Sequence, residues 1–327
     1  MDEHVDVVAA LIPTAGEDFP NSVSCNRVRE YLERARSRNT IRGYRSSFRQ
    51  FQKWCDIAGL RYMPATESTI ALYLSAQAGR LRPATLEHHL AAIGKAHKAA
   101  GFPSPLQDSV LIGETLKGIK RTHGTAPKQK APVLTEDLRI MLRLLPQNMQ
   151  GARDRAILLV GFAGAFRRSE LVALDVADLS FETEGLLVRL RRSKTDQEGE
   201  GRQVAIPFGL HPDTCPVGAL EVWLSRADIT AGPVFRPVRK GGALGSTRLT
   251  GHAIASIVKR HAKKAGLETD LFSGHSLRAG FVTSAARAGE PERRIMRQTG
   301  HKSVEMVLRY VRQANAFSDN AVKALGL

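Results

Sequence analysis

Cysteine is scarce: Cys25, Cys55 and Cys215 are the only three in 327 residues. Three scattered thiols build no disulfide framework, and without a C-x-x-C pair they offer no zinc site of that kind. They read as indifferent thiols of a reducing cytosol. Long apolar runs are missing too. No uninterrupted stretch reaches the roughly 18 residues that a membrane-spanning helix needs. The first twenty residues carry Asp2, Glu3, Asp6, Glu17 and Asp18 but neither Lys nor Arg. A secretory signal needs a positive start and a mitochondrial presequence needs arginines, so neither fits. Residues 1–20 are expected to form a poorly ordered acidic leader. Acidic residues otherwise run short, with 32 Asp and Glu against 48 Lys and Arg and a net charge of +16. What is present is ordinary globular material: 43% hydrophobic and 24% charged residues supply real cores. At roughly 100–200 residues per domain the length fits two domains. So basic a balance points to a polyanionic partner and away from a membrane.

The charge is uneven. Residues 21–130 hold 19 Lys and Arg against 7 Asp and Glu, and residues 131–327 hold 29 against 20. The heaviest run goes from Arg34 through Arg36, Arg38, Arg42, Arg45 and Arg49 to Lys53. Arg38, Arg42, Arg45 and Arg49 recur at three- and four-residue spacing, which puts them on one helical face. Like charges at that spacing repel unless an anion neutralises them. Arg42, Arg45 and Arg49 are therefore candidate contacts to a phosphate backbone, against the plainer reading of a solvated helix face.

Along the chain the first domain reads as all helix over residues 21–122. Helices are expected over 25–37, about 40–58, 66–77, 86–100 after Pro83, and 109–121. In the second of these Ile41, Tyr44, Phe48, Phe51 and Trp54 follow the helical period. Residues 123–132 mix Gly, Pro and Lys without a pattern, which is a linker composition. The second domain, 133–327, opens with helices over 135–145, 152–163 and 167–174. The period then changes. Leu187, Val188 and Leu190, then Val204 and Ile206, alternate as strands around a polar turn at 193–201. Helices return from about residue 216. The fold class expected is mainly α with a small antiparallel β-sheet.

The second half also holds side chains suited to phosphate chemistry: Arg167 in FAGAFRRSELVAL, Lys194 in RRSKTD, His275 and Arg278 in SGHSLRAG, and His301 and Tyr310 in TGHKSVEMVLRY. Each alone is weak. An arginine on a helix is usually surface, a lone histidine usually structural, and a helical tyrosine usually core. The ordered set resembles the tyrosine recombinase (phage integrase) family. Its first box, an Arg followed after one residue by Ser-Glu-Leu, matches Arg167-Arg168-Ser169-Glu170-Leu171 and selects Arg167 over Arg168. Its His-x-x-Arg box matches His275 to Arg278. Its Gly-His pair with a Tyr nine residues after the His matches Gly300, His301 and Tyr310. Lys194 matches the family's hairpin lysine by its place in the turn after Leu190. Within the family, Thr85 to Leu90, Val238 to Gly242 and Ser246 to Arg248 look most like Cre-type recombinases. His301 departs from the Cre type, which has Trp there, and follows the wider family.

The resemblance implies an N-terminal helical core-binding (SAM-like) domain and a catalytic domain that together close on DNA as a C-shaped clamp. It implies a site-specific recombinase that cuts and rejoins DNA strands through a 3′-phosphotyrosyl intermediate. Two guanidiniums, Arg167 and Arg278, would neutralise charge building on the phosphate oxygens. His275, one helical turn before Arg278, reaches the same phosphate and is the better general-base candidate. His301 would donate a further hydrogen bond. Tyr310 is the nucleophile and must lose a phenolic proton. Lys194 would protonate the leaving 5′ oxygen, and Glu170 would orient an Arg or His. Because the phosphate bond energy is kept, no cofactor is expected. No metal is expected either: a two-metal nuclease needs clustered carboxylates, and the Arg box, the His-x-x-Arg box and the Gly-His/Tyr box hold only Glu170 and Glu305.

For DNA readout, the resemblance makes His88 a major-groove candidate and Arg248 a reader of guanine. It places Lys240 near the minor groove or backbone. Phe317, Val322, Leu325 and Leu327 form a terminal apolar stripe that would dock on a neighbouring protomer. The expected partner is double-stranded DNA with inverted half-sites, with a dimer on each site and a tetramer in the synapse. The setting is the cytoplasm, in association with a bacterial nucleoid. A type IB topoisomerase-like enzyme and a non-catalytic DNA-binding regulator of the same fold are the competing readings.

Overall fold

The computed structural model describes residues 38–126, 130–191 and 201–314, with Arg27, Tyr31, Val322 and Leu325. The acidic leader, most of the helix expected over 25–37, Lys194, Phe317 and Leu327 lie outside the described residues. Contacts divide the chain into two compact units, Met1–Pro127 and Lys128–Leu327.

The first unit is built from α1 (Arg38–Ala58), α2 (Glu67–Gln77), α3 (Pro83–Ala99) and α4 (Val110–His123). The starts of the last three are written in the sequence. Thr66 and Ser109 cap α2 and α4 by accepting the N–H groups of Thr69 and Ile112, and Pro83 occupies the first turn of α3. Helix α1 turns Phe48, Phe51 and Cys55 inward, against Ile70, Tyr73, Leu74, Leu86 and Ile93. The opposite side of α1 is cationic. Two histidines also belong to this core. His97 accepts the Ala65 N–H at Nε2 (2.8 Å) and so donates from Nδ1 to the Ile93 carbonyl (2.8 Å). His89 meets the Tyr73 hydroxyl at 2.7 Å.

The second unit contains α5 (Thr135–Arg143), α6 (Met149–Ala163), α7 (Arg168–Ala173), β1 (Leu179–Glu182), β2 (Gly185–Leu190), β3 (Arg202–Pro207), α8 (Pro216–Arg226), α9 (Gly251–Lys264), α10 (Ser276–Arg287), α11 (Glu292–Thr299) and α12 (Val304–Ala314). The strands form one antiparallel sheet in the order β1-β2-β3. Val188 faces Leu179 on one side and Val204 on the other. Sequence alternation predicts β2 and β3 but not β1. Three of the four β1 residues are exposed, so this edge strand has no apolar alternation to show.

Leu186, Val188, Val204 and Ile206 pack on Ile157, Val160, Phe166, Leu220 and Trp223 to form the main core. A second cluster joins Val133, Met141, Leu158, Val258 and Leu277. The third, Val282, Ala286, Ile295 and Val307, holds the last helices and packs against Tyr310. Helix α10 is fixed closely to the irregular segment that precedes α5. Val133 donates its N–H to the Ser276 carbonyl at 2.9 Å. A Cβ at Gly280 would lie 1.8 Å from the Val133 carbonyl oxygen, so only glycine permits that approach.

Candidate active site

The turn from α6 to α7 sets the first arginine. Gly164 leaves room for the Phe166 ring, which a Cβ there would meet at 2.3 Å. Ala165 takes a left-handed backbone with φ +48°. The chain can then bury Phe166 fully and set Arg167, mostly buried, at the start of α7. Glu170 holds Arg167 twice: Oε2 accepts its backbone N–H at 2.9 Å and Oε1 accepts Nη1 at 2.6 Å. Glu170 is only 3% exposed. Arg168, the neighbour, goes elsewhere. Its side chain packs where a Cβ on Gly274 would lie 3.1 Å away.

Arg278 comes from α10 and is 1% exposed. Its Nη1 donates to the Ala165 carbonyl at 2.7 Å, and its Nη2 lies 3.1 Å from His301 Nε2. One buried guanidinium thus ties the Arg167 turn to the His301 turn. Its pKa is lowered to about 10, by burial first and then by Arg167, while Glu170 and Tyr310 work in the other direction. It stays charged at neutral pH. Tyr310 is half-buried on α12, among Val282, Ile295 and Val307.

Both histidines of this region are biased toward the neutral form. Burial lowers the pKa of His275, and Arg278, Arg167 and Arg168 push it the same way. His275 sits just before α10 at the rim of the site, its ring crowded by the surrounding chain yet still reaching solvent, with its backbone N–H donated to Ser273 Oγ at 3.2 Å. His301 drops to about 4, from burial first and then from Arg278, Arg167, His275 and Arg202. His301 Nε2 lies 3.1 Å from Arg278 Nη2, and since a guanidinium can only donate, Nε2 accepts there.

Sequence reasoning missed the residues that brace the His301 turn. Gln298 Nε2 donates to the carbonyls of Ala163 (2.8 Å) and Ala205 (3.1 Å). Arg202 Nη1 donates to the Gln298 carbonyl at 3.1 Å. Its Nε and Nη2 are buried without a hydrogen-bond partner among the described residues. A signal existed: Arg202 shares strand parity with the buried Val204 and Ile206, an unusual place for a charge.

The arginines expected on DNA stand as follows. Arg42, Arg45 and Arg49 line one cleft of about 380 Å³ on α1, together with Ser46, Gln50 and Lys53. Arg42 also donates to Asn39 Oδ1 at 2.7 Å. His88 is exposed, with Nδ1 3.0 Å from Ser47 Oγ and its ring against Tyr44. Its neighbour His89 is core instead, 2% exposed. Lys240 is exposed on a tight turn closed by Arg239 and Ala243. Arg248 is not a free guanidinium. It donates to the carbonyls of Val172 (2.7 Å) and Leu174 (3.2 Å) and to Asp175 Oδ1 (2.7 Å). No helix among the described residues is long and apolar enough to cross a membrane.

Residues 133–316 match the phage integrase family, and residues 29–100 match the phage integrase N-terminal SAM-like domain. The chain is 39% identical over 303 residues to the integrase/recombinase xerD homolog of Selenomonas ruminantium, covering 91% of this chain and 89% of that protein. It is 26% identical over 335 residues to recombinase cre of Escherichia phage P1, covering 94% and 95%. In fold it is similar to the XerH site-specific recombinase bound to palindromic difH substrate, with a TM-score of 0.63 at 19% identity over 93% of this chain and 84% of that one. The lambda integrase dimer bound to a COC' core site gives 0.56 at 17% identity, over 88% and 75%. The chain belongs to the phage integrase family: it is a tyrosine recombinase, an enzyme of site-specific DNA recombination.

Proposed function

We propose that the chain exchanges DNA strands through a covalent intermediate on Tyr310. The Tyr310 oxygen attacks the scissile phosphorus, a P–O(Tyr) bond forms and the P–O5′ bond breaks. The phenolic proton passes to His275, whose lowered pKa keeps it unprotonated and able to accept at neutral pH. Lys194 gives a proton to the departing 5′ oxygen. Arg167 and Arg278 hold the non-bridging oxygens as negative charge builds there, His301 donates a further hydrogen bond to the phosphate, and Glu170 orients Arg167. A 5′-hydroxyl from the partner strand then attacks the 3′-phosphotyrosine and releases Tyr310. One phosphoester replaces another, so nothing external is consumed.

The observation that supports this reading is the charge balance around Arg278. Arg167, Arg202 and Arg278 influence one another, and the carboxylate acting on them, Glu170, is already spent on Arg167. A desolvated cationic cluster of this kind suits an anion from outside the chain. Arg42, Arg45 and Arg49 would follow the DNA backbone while His88, Lys240 and Arg248 approach groove or backbone. The two units would close on duplex DNA as a clamp. Two protomers would fill inverted half-sites and four would form the synapse, in the cytoplasm on the nucleoid.

Covalent trapping tests the reading. The full chain is incubated with EDTA on nicked duplexes carrying candidate sites from DNA flanking its own gene. An adduct mapped to Tyr310 and absent from Tyr310→Phe is expected. Undiminished adduct or recombination in Tyr310→Phe would overturn the mechanism. Specific binding without adduct on any duplex would favour a non-catalytic regulator.

A further inference from the structure

Arg202 is the first residue of β3, where the chain returns after the stretch that holds Lys194. It faces Leu190 in the last pair of the β2–β3 ladder. Strand β3 is an outer strand of the sheet, and the end of an edge strand is where pairing is first lost. The Arg202 side chain closes this corner. Its Nη1 donates to the Gln298 carbonyl at 3.1 Å. The guanidinium packs on Gly300, where a Cβ would stand 2.9 Å from Nε and 3.0 Å from Cζ. Gly300, left-handed at φ +67°, leaves that space by having no side chain. The other foot of the same stretch is held in a similar way: Arg191 Nε donates to Asp178 Oδ1 at 2.6 Å.

Stability does not explain an arginine here. Its strand parity is that of the buried Val204 and Ile206, where an apolar side chain would carry no polar cost. Nε and Nη2 are buried with no hydrogen-bond partner among the described residues, and desolvated donors left unmatched are unfavourable. The charge also lies near enough to Arg278 and His301 to lower the pKa of both. The turn at Gly300 has other anchors. Gln298 Nε2 donates to the Ala163 and Ala205 carbonyls, and Thr299 Oγ1 donates to the Ile295 carbonyl at 2.8 Å. The turn is therefore the fixed support, and the first residue of β3 is what the arginine restrains.

We infer that Arg202 is a positioning residue for Lys194: it pins the open end of the β2–β3 ladder to the turn after α11 and so keeps Lys194 within reach of the departing oxygen. The inference rests on the proposed reading in which Lys194 protonates that oxygen. A general acid works only within hydrogen-bond reach of the atom it protonates, and a displacement of about 1 Å can cost about a hundredfold in rate. Fixing both feet of the stretch that carries the lysine limits such displacement.

The leaving group separates this role from a purely structural one. On nicked duplexes whose scissile 5′ oxygen is replaced by sulfur, a thiolate departs without needing a proton, so the placement of Lys194 ceases to matter. Single-turnover adduct formation at Tyr310 is measured for the full chain on oxygen and sulfur duplexes. Arg202→Met is expected to be about tenfold to hundredfold slower than wild type on oxygen and close to wild type on sulfur, as Lys194→Ala should be. Its melting temperature is expected to be no lower than that of the wild type, and amide exchange at residues 202–207 to quicken. An equal defect on both duplexes overturns the inference, as do wild-type rates on both or unchanged exchange at 202–207. Should Arg202→Met not fold, Arg202→Gln, too short for the Gln298 carbonyl, carries the same comparison. Should the wild type form no adduct, or Lys194→Ala fail to recover on sulfur, the strand-exchange reading itself is at fault, and exchange at 202–207 still judges the Arg202 contact.

Discussion

Glu170 fastens Arg167 at both ends, taking its backbone N–H with one carboxylate oxygen and its Nη1 with the other. The helix start and the guanidinium direction are therefore set by a single buried group. Glu170→Gln keeps the volume and an acceptor for the N–H but loses the charge. The expected outcome is a roughly tenfold to hundredfold fall in the rate of Tyr310 adduct formation, the cost of a misplaced catalytic group, with DNA affinity close to wild type. Single-turnover cleavage and equilibrium binding, measured side by side, separate the two. Equal loss in both would make Glu170 a folding residue only.

Much of this geometry was open to sequence reasoning, and the rest was closed for physical reasons. Helix α1 announced itself through Phe48, Phe51 and Trp54, because a helix that covers a core must repeat its apolar residues. His89 was also legible in hindsight: it stands three residues after Leu86 and four before Ile93, both buried, whereas His88 is one position off that stripe. Strand β1 was not legible, since an exposed edge imposes no alternation. Nor was the brace around His301. Gln298 reaches Ala163 and Ala205, 135 and 93 residues away, and no local pattern encodes contacts so distant. The three-residue spacing of Arg167 and Glu170 puts them on one turn, but which oxygen meets which nitrogen is a tertiary matter.

The cationic side of α1 makes a prediction about salt. Arg42, Arg45 and Arg49 share one cleft, so each phosphate neutralised there releases counterions. Replacing Arg42 or Arg45 with Ala is expected to weaken binding to all DNA sequences alike. The slope of log affinity against log salt should flatten by roughly one unit for each arginine. Titrations from low to moderate salt on a random duplex read this out. An unchanged slope would return these arginines to an ordinary solvated face.

His301 gives the second unit a pH dependence whose sign follows from its environment. Its pKa in the fold is about 4, below the ordinary value of 6.5. Between those values the unfolded chain binds the extra proton and the folded chain does not. Stability from this group is complete above about pH 6.5 and falls as the pH drops toward 4, by at most about 1.4 kcal/mol per pH unit. The facing charges, Arg278, Arg167 and Arg202, stay positive throughout and His275 shifts in the same direction. Urea midpoints at pH 7.5 and pH 5 are expected to differ less in His301→Gln than in the wild type. Equal differences would mean that His301 titrates normally.

Arg248 poses the sharpest question about DNA readout, because its guanidinium is occupied before DNA arrives. Asp175 binds it at 2.7 Å and is also approached by Arg191 at 3.5 Å. Moving Arg248 from Asp175 to a base therefore leaves the carboxylate with a second cation, which lowers the cost of the exchange. If Arg248 makes that exchange with a guanine, Asp175→Asn frees the arginine and is expected to tighten binding to the cognate site more than to a random duplex. Arg248→Lys, which loses the forked geometry, is expected to lose about 1–3 kcal/mol of discrimination at one base pair while retaining non-specific affinity. Competition binding against duplexes changed at single positions distinguishes this from the alternative. A uniform loss at every position, together with a lower melting temperature, would make Arg248 an anchor for the end of α7 and leave sequence choice to other side chains.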